Sequence, residues 1–254
     1  MTDAELVRAI EDNLAELLMA MGAAGGGEQR DDAEARWTIG GSPIDYHNAV
    51  VAAYDVAAVA ESLALLKKHG VPGSWHAGPS MPISRAAIQA AGFVSGGSEP
   101  GMAVRIEELV PADVPGLSLT RVGDDDALTV WEATLGRGFG EGEREARWVA
   151  SVYRKLGYGD PWQHYIGWLD GTPVGTATVF LGAGVAGLYF VMTVPEVRRR
   201  GIGAAITYGA LRGALEAGAE YAVLGSSPAG RSVYERLGFR EYCTIELYEW
   251  APTG

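Results

Sequence analysis

The chain has 254 residues, 48% of them hydrophobic and 20% charged, with a formal net charge of -12. This composition argues against global disorder, and the acidic balance disfavours nucleic acid, whose phosphates need clustered Lys and Arg. No apolar run reaches the ~20 residues of a membrane helix, the N-terminus lacks the basic segment and apolar core of a secretory signal, and the lone Cys243 allows no internal disulfide, which suits the cytoplasm.

In chain order, residues 4–21 predict an amphipathic helix with Leu6, Ile10, Leu14, Leu17 and Met21 on one face. The glycine-rich, charged stretch 22–32 reads as a loop. Residues 36–39 and 49–52 read as strands. A helix over 55–69 is opened by Asp55 and closed by Gly70. Trp75-His76-Ala77 is a strand, 83–91 a short helix ended by Gly92-Phe93, and 102–106 a strand that leads into a Pro-containing linker over 110–116. Beyond the linker, 117–122 is a strand, and 124–135 is a helix with Asp124-Asp125-Asp126 at its dipole-favoured start. A loop over 136–142 carries Phe139, and 143–156 is a helix with Trp148 and Tyr153. Strands at 164–169 and 174–181 are joined by an Asp170-Gly171 hairpin turn, and 187–193 is the next strand.

The stretch Val191-Met192-Thr193-Val194-Pro195-Glu196-Val197-Arg198-Arg199-Arg200-Gly201-Ile202-Gly203-Ala204 reads as strand, turn and helix start. Pro195 stops the strand, and Ile202, Ile206, Ala210 and Ala214 recur at helical spacing. Glycines at a helix start let main-chain N–H groups approach a ligand. Those groups have no intrahelical acceptor, and the dipole favours an anion there. The spacing Arg-x-x-Gly-x-Gly is neither the dinucleotide fingerprint nor a P-loop. Three arginines beside it concentrate positive charge in an acidic chain. Residues 221–226 are a further strand, Ser227-Pro228 opens a helix through Val233-Tyr234-Glu235-Arg236-Leu237, and Gly238 ends it before Phe239.

The Arg-x-x-Gly-x-Gly turn after a strand, followed by Tyr234-x-x-x-Gly238-Phe239 after another strand and helix, resembles the GNAT superfamily of acyl-CoA-dependent N-acyltransferases over roughly residues 120–250. The resemblance implies an α/β fold (an α+β mixed sheet). Ala90-Ala91-Gly92-Phe93 echoes Arg236-Leu237-Gly238-Phe239, which suggests two GNAT-like halves, each a twisted mixed β-sheet flanked by helices. The halves are expected over 1–112 and 117–254. The first contains no Arg-x-x-Gly-x-Gly turn and no tyrosine matching Tyr234, so it is expected to be degenerate and to bind no acyl-CoA.

Carried onto this chain, the resemblance implies acetyl-CoA as co-substrate and a small-molecule amine as acceptor. The pantetheine amides would lie along the main chain of Val191, Met192 and Thr193. The pyrophosphate would sit on the N–H groups from Arg199, Arg200, Gly201, Ile202, Gly203 and Ala204. Arg199 and Arg200 add charge, and Arg198 serves either there or in structure. Ser227 stands where many family members carry an asparagine and would touch the pantetheine arm. Tyr234 is the expected acid for the leaving thiolate, since a phenol of pKa ~10 is protonated at neutral pH. Trp131, Phe139, Trp148 and Tyr153 are either walls of the acceptor site or ordinary core. Many family members carry a carboxylate on the strand matching 187–193; none is present here. Glu132, Glu141, His164, Tyr189 and a water chain remain open as the base. The four histidines and Cys243 show no metal-ligand spacing, so no metal is expected. The missing carboxylate also leaves open a non-enzymatic acyl-CoA-binding or interaction module.

Overall fold

The computed structural model describes residues 1–252; residues 253 and 254, the end of the expected second half, lie outside the described residues. The chain divides into two compact units, Met1–Gly101 with Tyr242–Gly254 and Met102–Glu241. The division differs from the expected one because the last strand belongs with the first unit, and because the second unit begins inside a strand rather than at the 110–116 linker.

Helix α1 (Asp3–Gly25) opens on a capping box, in which Thr2 N–H donates to Glu5 Oε2 at 2.7 Å and Glu5 N–H donates to Thr2 Oγ1 at 3.4 Å. It buries the predicted face and ends on left-handed Gly26. Strand β1 (Glu28–Asp31) lies in the segment expected to be a loop; its residues, Glu-Gln-Arg-Asp, carry no apolar alternation to reveal it. Next come β2 (Ala35–Ile39), β3 (Ala49–Ala53), α2 (Ala57–His69), β4 (Gly73–Ala77) and α3 (Arg85–Ala90). Strand β5 (Val94–Arg105) starts eight residues before the expected 102, its beginning disguised by Gly96, Gly97 and Gly101. In the second unit stand β6 (Leu117–Arg121), α4 (Asp125–Leu135), α5 (Glu143–Leu156), β7 (Trp162–Leu169), β8 (Thr172–Gly182), β9 (Val185–Thr193), α6 (Ile202–Glu216), β10 (Tyr221–Gly225) and α7 (Arg231–Leu237). The final strand, β11 (Arg240–Trp250), pairs antiparallel with β4 from Glu246↔Ala77 to Trp250↔Gly73 in the first unit.

Each unit is a mixed α/β sheet with helices packed on it. In the first, the order is β1-β2-β3-β4-β11 and only β3/β4 is parallel. In the second, the order is β10-β9-β8-β7-β6 and only β10/β9 is parallel. The succession β3–α2–β4–α3–Gly92-Phe93 repeats as β9–α6–β10–α7–Gly238-Phe239. Both glycines have positive φ, 106° and 100°, and both phenylalanines are buried. The two parallel pairs also match in extent. Ala49↔Ser74 and Val50↔Trp75 are the register pairs of one, Ala186↔Ala222 and Gly187↔Val223 those of the other. Past these residues the strands are no longer paired, and each unit contains a gap between two parallel strands. The short echo read in the sequence is thus the end of a longer structural repeat.

Three histidines are buried in these cores. Burial lowers His47 to about 3, with neighbouring His76 adding to the effect. Burial lowers His76 to about 4, opposed by the Tyr46 carbonyl, and lowers His164 to about 3. All three stay neutral in the folded chain under conditions where an unfolded histidine, of pKa ~6.5, takes up a proton. The unfolded state therefore binds more protons between about pH 6.5 and the folded values, so stability is present above that window and is lost as pH falls through it. We expect the urea midpoint to drop markedly from pH 7.5 to pH 5, on the order of 1–2 kcal/mol per histidine. A midpoint that does not move would show these rings to be solvated.

Candidate active site

The second unit's gap is built by β9. Its pairing with β8 shifts register between Thr176 and Thr178, opposite Phe190, whose φ is +50°. Thr176 Oγ1 donates to the Phe190 carbonyl at 2.8 Å and holds the irregularity. A bulge bends the strand that carries it, and this one lies just past Gly187, where β9 leaves β10. Val194 N–H donates to Val174 O at 2.9 Å. By strand alternation Met192, opposite Thr176, also turns its main chain to β8, while Thr193 and Val191 turn theirs toward the gap. Met192 is buried; Val191 and Thr193 are half-buried.

At the end of β9 the chain makes one 3-10 turn, Pro195–Val197, and reaches Arg199 at φ +62° and Gly201 at φ +82° before α6 begins. No side chain caps α6. Its first backbone bond runs from Ala205 N–H to Gly201 O at 3.0 Å. The N–H groups of Gly201, Ile202, Gly203 and Ala204 therefore have no acceptor among the described residues. A Cβ on Gly203 would stand 3.3 Å from Thr193 Oγ1, so a side chain there would crowd the end of β9. Helix α6 is seated by Ile206, whose side chain lies where a Cβ on Gly167 or Gly175 would be, so the helix start is fixed by close helix–sheet packing.

Arg199 and Arg200 are exposed and lie within 4 Å of no carboxylate among the described residues. Arg198 has a different role. Its Nε donates to Thr193 O at 2.9 Å and its Nη2 to Gly138 O at 3.0 Å, which ties the 136–142 loop to the end of β9. That loop carries Phe139, half-buried, with its ring 5.4 Å from that of Phe190. Phe190 in turn meets Trp131 at 6.1 Å and Tyr153 at 6.0 Å. Trp131 and Tyr153 are fully buried core, while Phe139 and Trp148 keep some exposure. Arg198→Ala should free the loop while leaving the cradle intact. The expected result is faster amide hydrogen exchange across 136–142, with exchange at Gly201–Ala204 nearly unchanged and partial recovery in Arg198→Lys; equal changes in both segments would contradict the latch.

Helix α7 starts at Arg231, not at Pro228. Ser227 is spent on the turn before it, where Gly230 N–H donates to Ser227 Oγ at 3.2 Å and Arg231 N–H to Ser227 O at 3.1 Å. Tyr234 lies in α7, which packs on α6. Its ring lies 5.7 Å from that of Phe239, edge to face, and crowds the Cα of Gly230. Burial pushes the phenol well above its ordinary pKa, and the hydroxyl makes no hydrogen bond to any described residue.

The carboxylates considered as base are engaged elsewhere. Glu132 lies 3.3 Å from Arg154, and Glu141 lies 2.9 Å from Arg144. His164 is buried, stacks on Tyr153 at 3.9 Å, and has Nδ1 3.0 Å from Thr178 Oγ1. Tyr189 stands half-buried on β9, next to the irregularity. Two features were missed in the sequence: the Arg198 latch, hidden within a run of three arginines, and Glu145. Glu145 is a buried carboxylate on α5 that accepts from Glu141 N–H at 3.0 Å and stabilises the same loop. Among the described residues no cluster of His, Cys, Asp and Glu could hold a metal, and no helix is long and apolar enough to cross a membrane.

Residues 136–239 match the family model for the acetyltransferase (GNAT) family, a span that contains the 136–142 loop, β9, the cradle and Tyr234. No curated protein matches the chain. Among solved structures, it is similar to a GCN5-related N-acetyltransferase from Kribbella flavida at 20% identity and a TM-score of 0.71, covering 94% of this chain and 96% of that one. A GCN5-related N-acetyltransferase from Sphaerobacter thermophilus is similar at 16% identity and a TM-score of 0.61, over 100% and 95% of the two chains. A tandem GNAT protein from the clavulanic acid biosynthesis pathway is similar at 17% identity and a TM-score of 0.58, over 87% and 79%. At these identities the likenesses establish the fold.

Proposed function

We propose, from the premise that residues 136–239 form a GNAT acetyltransferase domain, that this acyltransferase moves an acetyl group from acetyl-CoA to the amine of a small molecule by direct attack in a ternary complex. The observation that carries the reading is the cluster of four N–H groups without acceptors, Gly201 to Ala204, beside two unpaired arginines and next to the open edge of β9. Such donors at a helix start take a phosphate. The gap-facing main chain of Val191 and Thr193 suits the amides of an extended pantetheine arm, which would add as a strand. Thr193 O is already held by Arg198, so its N–H is the group left for that contact. Met192 contributes by packing rather than by main-chain hydrogen bonds, and Ser227 can still donate its hydroxyl proton.

In the step itself, the neutral amine nitrogen bonds to the thioester carbonyl carbon, the carbon–sulfur bond breaks, and the thiolate takes the proton of the Tyr234 hydroxyl. The amine nitrogen loses its proton to solvent, solvent returns one to the Tyr234 phenolate, and the products are the N-acetyl amine and CoA thiol. Phe139 and Phe190 give the acceptor side an apolar wall. A buried Cys243 outside any disulfide and the acidic composition fit a cytoplasmic enzyme, and the first unit is its degenerate counterpart. The missing strand carboxylate favours one other reading, a module that binds acyl-CoA without turnover. Thiol release from acetyl-CoA against a panel of amines, antibiotics, amino acids and peptides separates the two. The enzyme gives release that depends on amine; tight CoA binding with silence across the panel supports the module.

A further inference from the structure

The first unit also holds a gap between parallel strands, but its helix start is closed. Ala57 N–H donates to Asp55 Oδ1 at 3.0 Å, Ala58 N–H to Asp55 O at 3.1 Å and Val59 N–H to Val56 O at 3.0 Å. A carboxylate already occupies the place where an anion would dock, so that gap has no cradle for a coenzyme's phosphates. Beside it, however, lies a cavity of about 210 Å3. This is below the ~300 Å3 at which pockets for drug-sized ligands begin, so it suits a small metabolite.

Its walls carry both signs of charge. Helix α1 presents Arg8, Glu11 and Asp12, all on one face by their spacing, and β2 presents Arg36. Glu11 is committed: its Oε1 accepts from Ser80 N–H at 3.0 Å and its Oε2 from Ser80 Oγ at 2.5 Å, which fixes the far wall. Arg36 Nε lies 2.9 Å from Asp31, and its guanidinium has no other carboxylate within 4 Å among the described residues. Arg8 and Asp12 form no ion pair within 4 Å among the described residues. Tyr54, 54% exposed, and buried Met81 supply an apolar wall. Val51 and Ala52, on β3 past its last pair with β4, complete the lining.

We propose that this cavity binds a free α-amino acid with an apolar side chain, its carboxylate held by Arg8 and Arg36, its ammonium by Asp12, and its side chain against Tyr54 and Met81. Two guanidinium groups and one free carboxylate on the lining of a small open cavity match a zwitterion better than any ligand of single charge, because each ligand charge then has a partner. The site is separate from the acyl-transfer reading and stands or falls independently of it.

The test is calorimetry on the full chain with L-leucine, L-methionine and L-phenylalanine, each alongside its N-acetyl and methyl ester derivatives. At least one free amino acid should bind, and its derivatives, which lack one of the two charges, should bind tenfold or more weakly. Arg8→Gln and Asp12→Asn, both on the exposed side of α1, should each weaken binding tenfold or more with acetyl-CoA affinity unchanged. The Gly201→Val/Gly203→Val chain should bind the amino acid normally, which separates this site from the acceptor and coenzyme sites. No binding at millimolar concentration, equal binding of the derivatives, or unchanged affinity in both α1 variants would overturn the proposal.

Discussion

Replacing Gly201 and Gly203 together by valine should abolish detectable acetyl-CoA binding, a loss of at least a hundredfold, or ~2.8 kcal/mol at ~1.4 kcal/mol per tenfold. Two separate effects add. Gly201 has φ +82°, where a β-branched residue is strained, so the loop would rearrange and the N–H groups it aims would scatter. Gly203 is already within 3.3 Å of Thr193 Oγ1 by its Cβ position, so a valine there would fill the approach between strand end and helix start. Circular dichroism and the urea midpoint should confirm that the domain still folds. Calorimetry showing unchanged affinity would remove the cradle from coenzyme binding.

Tyr234→Phe should lower turnover ~10- to 100-fold with acetyl-CoA affinity almost unchanged, since it removes a donor used only as the sulfur leaves. The pKa of the phenol sets the size of the effect. Burial raises it, so Tyr234 is protonated at neutral pH and is suited to donate rather than to accept a proton. The same shift makes it a weaker acid than a free phenol, so in the proposed step it would act first as a hydrogen-bond donor to developing thiolate charge and transfer its proton late. That places the expected loss below what a well-matched acid would give. The alkaline limb of the wild-type profile should likewise not report Tyr234 ionisation. Turnover equal to wild type would remove Tyr234 from the chemistry.

Elements with strong periodicity and clear punctuation were legible. Helix α1 with its apolar face and α5 over 143–156 matched closely, as did α6 from Ile202. The glycine spacing after β9 located the start of α6 because the physics there is local: Gly201 takes the positive φ that ends the turn, and the first N–H groups of the helix follow it. What escaped depended on partners distant in sequence. Strand β1 is polar on both faces and exists because β2 is beside it. The return of β11 to β4 is a long-range pairing that no window could reveal. The irregularity at Phe190 forms against Thr176, and the Arg198 latch spans 60 residues to Gly138. Ser227 reads as a helix cap, but the structure uses it three residues earlier, to close the turn at Gly230.

The most direct measurement is a nitrogen-15 amide spectrum of the full chain titrated with CoA. The largest shifts should fall on the N–H groups of Gly201, Ile202, Gly203 and Ala204, with smaller ones at Val191 and Thr193 and none at Ala57 to Val59 of the first unit. Saturation that leaves the Gly201–Ala204 signals in place, or moves those of α2 instead, would contradict the account.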